Sequence, residues 1–346
     1  MVKFDVVIGN PPYQEEANGS SSKDMPIYHR FMEEAYKVGG KVLLITPARF
    51  LSNAGGTPKR WNEKMLNDEY LKVEFFEQDS SKIFQNTDIK GGVAITYRDD
   101  TQAFGPIGVF TPFNELRSIL LKVELLGHLQ SFSEIVSNRG LYRYSDLIYN
   151  EHPEAMKRVS DRRLASNAFE KLNKLFFDDR PNDNNEYVQI YGRYNNKRVY
   201  KWFRRDYLNT PVNFEKYKVI LPKANGSGAI GEVLSTPLIG EPLIGEPLIG
   251  YTETFIGIGP FDTEYEAQAV YKYVKTKFAR ALLGILKITQ DNTKTTWEKV
   301  PIQDFTLNSD IDWTKSIPEI DQQLYKKYSL NEEEINFIET KVREMD

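Results

Sequence analysis

Asn10-Pro11-Pro12-Tyr13 is the segment whose residue types can do chemistry. An exocyclic amine has two hydrogens to donate, and the Asn10 amide oxygen with the Pro11 carbonyl supplies two acceptors. Accepting both N–H bonds pushes the nitrogen toward tetrahedral geometry and frees its lone pair to attack an electrophilic methyl group. Tyr13 offers an aromatic face on which a base swung out of a duplex can stack. No metal and no covalent nucleophile is required. The plain alternative is an ordinary turn, since Asn-Pro is a common turn starter.

The elements that must position this segment are readable around it. Val6 to Ile8 is a short apolar, β-branched run expected to form a buried strand, which Gly9 and the two prolines end abruptly. Polar groups are thereby held at the carboxyl end of a strand, where open α/β sheets place ligands. Ile27 to Tyr36 has helical spacing and is ended by Gly39-Gly40; Lys41 to Pro47 reads as a second buried strand, Leu71 to Glu77 as a third and Gly91 to Tyr97 as a fourth. Between the last two lies Ser80-Ser81-Lys82-Ile83-Phe84-Gln85-Asn86, a polar loop with one aromatic. The order is strand, motif, helix, strand, helix, then a strand pair.

On these residues, Phe4 to about Tyr97 resembles the second half of the catalytic domain of N6-adenine DNA methyltransferases, in the group whose cofactor motif precedes the catalytic motif. Within that group it is similar to the restriction-modification methylases. The resemblance implies an α/β fold: a partial Rossmann-like methyltransferase sheet lacking its first strands, then a mixed α+β target-recognition domain. It implies that Asn10, Pro11, Pro12 and Tyr13 are catalytic, that Tyr13 and Phe84 stack on the target base, and that Pro12 and Phe31 line the adenine pocket of S-adenosylmethionine. A core role for Phe31 remains open beside that one. The chain departs from the family in one respect. The glycine-rich turn and ribose-binding acid of the cofactor site belong upstream of Asn10, where only nine residues stand, and Ala224-Asn225-Gly226-Ser227-Gly228 has the wrong setting to replace them. The cofactor-binding half is therefore expected from elsewhere, a partner chain or a longer parent gene.

At 346 residues, 40% hydrophobic and 13% aromatic, the chain can build two cores. Residues 1–125 are expected as the catalytic portion, 126–300 as the recognition domain and 301–346 as a helical tail. Without cysteines, disulfide frameworks and thiolate sites are excluded, and His29, His128 and His152 are too scattered to suggest a metal. No run of eighteen apolar residues and no signal peptide is present, which sets the expectation of a cytoplasmic protein. A net charge of −4 means that any affinity for double-stranded DNA must come from local patches.

One such patch runs from Arg193 to Arg205. Arg193, Lys197, Arg198, Lys201, Arg204 and Arg205 alternate with Tyr194, Tyr200, Trp202 and Phe203, with no acid among them. Cations suit phosphates and aromatics suit stacking; an exposed hairpin turning at Asn195-Asn196 explains the same residues. Lys157-Arg158 and Arg162-Arg163 read as solvated charges on a helix, Lys223 to Gly228 as a turn that backbone amides could open to a phosphate, and Tyr265 to Lys287 as the packing helix of the recognition domain.

Pro237-Leu238-Ile239-Gly240-Glu241 recurs from Pro242 and again, without its Glu, from Pro247. Five residues are commensurate with neither strand nor helix, so the expectation is a tolerated loop insertion, with a length-variable site that retunes recognition as the alternative. The tail predicts helices over Ile317 to Tyr328 and Asn331 to Met345, the second opened by Asn331 with Glu334 as a capping box. Three function classes fit the whole: an adenine methyltransferase completed by residues from elsewhere, a catalytically silent DNA-recognition module, or a protein glutamine methyltransferase. The long region after the catalytic sheet counts against the third.

Overall fold

The apolar run at the start does form a strand, and the prolines end it. β1 (Phe4–Gly9) stops one residue before Asn10, and a short β2 (Gln14–Glu15) comes next, paired antiparallel with β3 (Met25–Pro26). The computed structural model describes residues 4–15, 25–52, 56–85, 87, 89, 91–126, 130–225, 238–287 and 290–345. Its contacts divide the chain into two units, Met1–Pro112 and Phe113–Asp346.

In the first unit, α1 (Tyr28–Val38) leads into β4 (Gly39–Pro47), and α2 (Lys59–Leu66) leads into β5 (Leu71–Glu77) and β6 (Val93–Asp99). The sheet order is β1-β4-β6-β5, with β1 parallel to β4 and β6 antiparallel to both its neighbours. Side chains alternate across a sheet. Val7, opposite Val42, therefore lies on the face where Tyr28, Met32, Leu44, Trp61, Met65 and Ala94 form the core. Val6 and Ile8, opposite Lys41 and Leu43, lie on the other face, and neither belongs to that core. Phe4, Val6 and Ile8 are 58, 54 and 72% exposed along an edge strand.

The second unit is mixed α+β. It opens with α3 (Asn114–Leu125), β7 (Arg143–Tyr144) and the short helices α4 (Asp146–Glu151), α5 (Pro153–Met156) and α6 (Ala168–Lys171). The hairpin of β8 (Tyr187–Tyr194) and β9 (Lys197–Arg204) comes next, then β10 (Leu208–Asn209), paired with β7, and β11 (Tyr217–Pro222). β12 (Leu243–Gly245), β13 (Ile249–Tyr251) and β14 (Phe255–Phe261) complete two three-stranded sheets, β12-β11-β14 and β13-β8-β9. The expected packing helix is two helices, α7 (Glu264–Lys275) and α8 (Lys277–Leu286), because Thr276 breaks off in extended backbone and caps the second by accepting from the Ala279 N–H. α9 (Ile317–Lys327) and α10 (Glu332–Lys341) end the unit, α10 with the expected Asn331/Glu334 capping box. α3 falls in the second unit and is tied to the tail: Ser118 and Lys122 both bind the Glu334 carboxylate, each at 2.7 Å.

The repeat is not a loop insertion, and that expectation is corrected. Leu238 and Ile239 of the first copy are buried; the second copy supplies β12, antiparallel to β11; the third supplies β13, parallel to β8 in the other sheet. The chain passes between the sheets at Leu248, which takes a left-handed φ of 67° and donates its N–H to the Phe214 carbonyl. The glycines are needed for close approach: a Cβ would come 2.7 Å from Ile220 Cδ1 at Gly245 and 2.8 Å from Ile190 Cδ1 at Gly250. Residues 226–237, including Gly226 to Gly228 and Pro237, lie outside the described residues.

Deleting residues 242–246 either removes β12 or pulls the first copy into its place and empties the site of Leu238 and Ile239. Two buried aliphatic side chains are worth about 3–6 kcal/mol, so calorimetry of the deletion should show a large fall in melting temperature. A near-unchanged transition would mean that the copies are interchangeable spacers after all.

Lys218 on β11 gives a pH signature. It is 0% exposed, and its Nζ donates to the carbonyls of Asn213, Phe214 and Lys216 at 2.9, 3.3 and 2.9 Å. Burial pulls its pKa from 10.5 to about 7. The unfolded chain holds that proton to higher pH, so above pH 7 the unfolded state binds more protons and stability rises with pH. Urea unfolding should show wild type gaining about 2 kcal/mol between pH 7 and about 9, and Lys218→Met losing that slope; equal slopes would show that Lys218 does not titrate there.

Candidate functional site: an amine pocket and a nucleic-acid interface

Gly9 is the last residue of β1 paired to β4, opposite Leu44. Proline has no N–H to continue the ladder, so Asn10 to Tyr13 leave the sheet at the carboxyl end of β1, beside the parallel end of β4. The loop is anchored at its far side, where the Ile27 N–H, just before α1, donates to the Tyr13 carbonyl at 3.1 Å. Asn10 and Pro12 are exposed, and Pro11 and Tyr13 are half-buried. Tyr13 packs against the core of the first unit. Burial pushes its phenol pKa up, partly offset by the Asn10 side chain, while the hydroxyl makes no well-formed hydrogen bond.

Phe84, far along the chain from the motif, comes to Tyr13. The ring centroids are 6.5 Å apart at 66°, an edge-to-face pair. The loop that carries Phe84 is held by its own polar residues. Asp79 Oδ1 accepts from the Ser81 N–H and hydroxyl at 3.1 and 2.6 Å; the buried Ser80 hydroxyl donates to the Thr87 carbonyl at 3.0 Å and accepts from the Ile89 N–H at 2.8 Å. The Phe84 N–H donates to the Ser80 carbonyl at 2.8 Å, and the Phe84 carbonyl accepts from the Thr87 hydroxyl at 2.6 Å. Sequence reasoning marked Phe84 and passed over Asp79, Ser80 and Thr87, although Asp-Ser-Ser is a turn-forming string whose side chains bond their own backbone. Asn86 lies outside the described residues.

Phe31, on α1, is 44% exposed and lies outside the core cluster of the first unit. Pro12 and Phe31 carry apolar side chains only and would leave the ribose hydroxyls and amino-acid end of S-adenosylmethionine without partners, so these two residues alone would not make its site. Among the described residues no cluster of His, Asp and Glu could hold a metal ion, and no helix is long and apolar enough to cross a membrane.

In the second unit the basic string is a hairpin, turning at Asn195 and Asn196 with φ of 48° and 61°. Strand alternation divides its cations between two faces, and several are consumed internally. Lys201 is buried and paired with Asp178 at 2.5 Å; Arg204 joins Glu151 and Asp206, each at 2.8 Å; Arg205 donates to Thr210 and lies over the Phe214 ring. Arg193, Lys197 and Arg198 stay exposed around the turn, Arg193 bonded to Asn196 and Arg198 to the Glu241 carbonyl. The other two basic pairs are not on one helix: Lys157 pairs with Glu154 near α5, while Arg162 and Arg163 pair with Asp146, Asp161 and Glu253.

Residues 1–84 match the family described as Eco57I restriction-modification methylase. A curated relative, an "Uncharacterized adenine-specific methylase" of Mycoplasma pneumoniae, is 34% identical over 97 residues, 27% of this chain and 23% of that protein. The match thus spans about a quarter of the relative's length. Among solved structures, the type IIG restriction endonuclease BpuSI is 10% identical with a TM-score of 0.32, over 98% of this chain and 54% of that one. The type IIL restriction-modification enzyme MmeI, solved in complex with DNA, is 8% identical with a TM-score of 0.42, over 97% and 56%. The family match covers about the first quarter of the chain.

Replacing Arg193, Lys197 and Arg198 by Gln should flatten the salt dependence of duplex binding by about 0.9 of slope for each phosphate no longer engaged. Lys201→Gln should lower folding stability instead, since its charge answers Asp178. If removing the three exposed cations leaves the slope untouched, the turn is an ordinary solvated hairpin.

Proposed function

We propose that this chain carries the amine-binding and DNA-reading parts of a site-specific adenine-N6 DNA methyltransferase of a restriction-modification system, working in the cytoplasm with further polypeptide that completes the S-adenosylmethionine site. The observation that carries the reading is the placement of Asn10 to Tyr13 at the carboxyl end of β1 with the Phe84 ring beside Tyr13. A base entering there meets two acceptors for its amine, Asn10 Oδ1 and the Pro11 carbonyl, and the aromatic rings of Tyr13 and Phe84. Both amine hydrogens would be held while the lone pair is freed; S-adenosylmethionine, when bound, would supply the methyl group and leave as S-adenosylhomocysteine, and one amine proton would pass to water. Nothing in that sequence of events needs a charged side chain.

The need for further polypeptide rests on the exposed Phe4, Val6 and Ile8 of β1. An edge strand presenting apolar side chains and unpaired backbone groups invites a neighbour. A partner that extends the sheet beside β1 would also stand next to Pro12, where the methyl donor is wanted.

The test uses methyl transfer and base capture as separate readings. The chain mixed with the N-terminal half of a related methylase should transfer tritiated methyl groups to duplex DNA, and Asn10→Ala should abolish transfer while leaving affinity nearly unchanged, because phosphate contacts dominate binding. Tyr13→Ala should weaken capture of an extrahelical 2-aminopurine, read by its fluorescence, by roughly 1–3 kcal/mol. Near-normal transfer by Asn10→Ala would remove the amine-binding reading, and duplex binding without any transfer would favour a silent recognition module.

A further inference from the structure

The second unit contains a pocket, walled in part by charged residues, that base capture and methyl transfer do not use. It has a volume of about 240 Å³ and is walled by Ser137 to Arg139, Lys223, Ile256 and Asp291 to Thr295. At about 30 Å³ per water it has room for several. Three cations, Arg139, Lys223 and Lys294, face one acid, Asp291.

These groups are not equally engaged. Arg139 holds the buried Glu253 carboxylate through two contacts of 3.3 and 3.2 Å, and Arg163 holds the same carboxylate at 3.1 Å. Ser137 is committed to the fold, its hydroxyl accepting from the Gly257 N–H at 2.8 Å. Lys223 and Lys294 are half-buried, and neither ammonium has a partner among the described residues. The backbone of Lys223 is pinned, its N–H donating to the Thr254 carbonyl at 3.0 Å and its carbonyl accepting from the Asn292 N–H at 2.6 Å. The backbone from which its side chain extends is therefore fixed at the pocket wall.

Asn292 supplies the independent observation. It is 0% exposed and its Oδ1 accepts from the Trp297 indole at 2.7 Å and from the Thr296 hydroxyl at 3.3 Å. An indole N–H can only donate, so the amide cannot be flipped: the oxygen faces Trp297 and Nδ2 carries the remaining hydrogens. That Nδ2 is buried without a partner. A wall with two unanswered ammonium groups and an unanswered amide donor is short of acceptors, and an oxyanion is the ligand that supplies them.

We propose that this pocket seats a backbone phosphate of bound DNA, with Lys223 and Lys294 taking its charge and Asn292 available as a donor to its oxygens. The inference rests on the DNA-binding reading and adds to it a site built from other residues than the hairpin turn. A phosphate fixes register without reading sequence, so this site would position the duplex rather than select it.

The experiment measures duplex binding by anisotropy across salt concentrations for the full chain, for Lys223→Gln/Lys294→Gln, and for Lys174→Gln/Lys326→Gln, which removes the same charge elsewhere on the unit. The first double variant should bind more weakly and lose about 0.9 of slope, and the second should keep the wild-type slope. Equal slopes for the two double variants, with wild type binding normally, overturn the pocket and leave the DNA reading standing. Absence of wild-type duplex binding overturns the DNA reading, and this inference with it. A titration with inorganic phosphate, monitored through the Trp297 indole N–H signal, separates the sources. A shift with duplex and not with free phosphate supports a backbone phosphate; a shift with free phosphate and no duplex binding makes this a small-anion site and overturns the inference as stated.

Discussion

The candidate site depends first on the parallel pairing of β1 with β4. Its register, Val7 to Val42 through Gly9 to Leu44, decides which side chains of β1 enter the core and where the strand runs out. A slip of one residue would send Val7 outward and turn Val6 and Ile8 into the core. The prolines then make the exit irreversible, since neither can give an N–H to a longer ladder. With the start fixed by register and the far side tied by the bond from Ile27 to the Tyr13 carbonyl, the four motif residues have little freedom left. Phe84 meets them because β5 belongs to the same sheet and the loop after it is locked by Asp79, Ser80 and Thr87.

The first unit was largely legible in the sequence because its signals are local. Apolar runs, a proline stop and helical spacing need no tertiary information, and the observed elements lie close to those expected, as with Gly39–Pro47 for Lys41 to Pro47. The basic string was legible as a hairpin through Asn195-Asn196. Its division into structural and exposed cations was not, because the acids that consume Lys201 and Arg204 lie at Asp178 and Glu151, outside any local window.

The pentapeptide shows the limit more sharply. Three identical strings become a buried segment, an antiparallel strand and a parallel strand, and Leu248 takes a left-handed φ that its equivalents at 238 and 243 do not. Propensity is the same for all three, so position alone decides. What the copies share is a glycine where a neighbouring side chain leaves no room for a Cβ, and that shared demand was written in the sequence without any indication of which neighbour imposed it. Lys223 and Asn292 were equally hard to read, since the pocket joins residues far apart in the chain.

The composition of β1 bears on what must lie beside it. Strands solvated on one face alternate apolar with polar residues, whereas strands covered on both faces read as continuous apolar runs. Val6-Val7-Ile8 is a continuous run, and so is Val42 to Ile45 in β4, yet Val6 and Ile8 stand exposed. The residues on that face therefore carry the composition of a covered surface without the cover that Val7 enjoys on the opposite one. Leaving large aliphatic side chains in water forfeits the stabilisation that their burial would bring, and an apolar edge is an aggregation hazard. Both costs disappear together if another segment of polypeptide lies against that face and pairs with β1, and the same segment would stand near the exposed Pro12 of the candidate site.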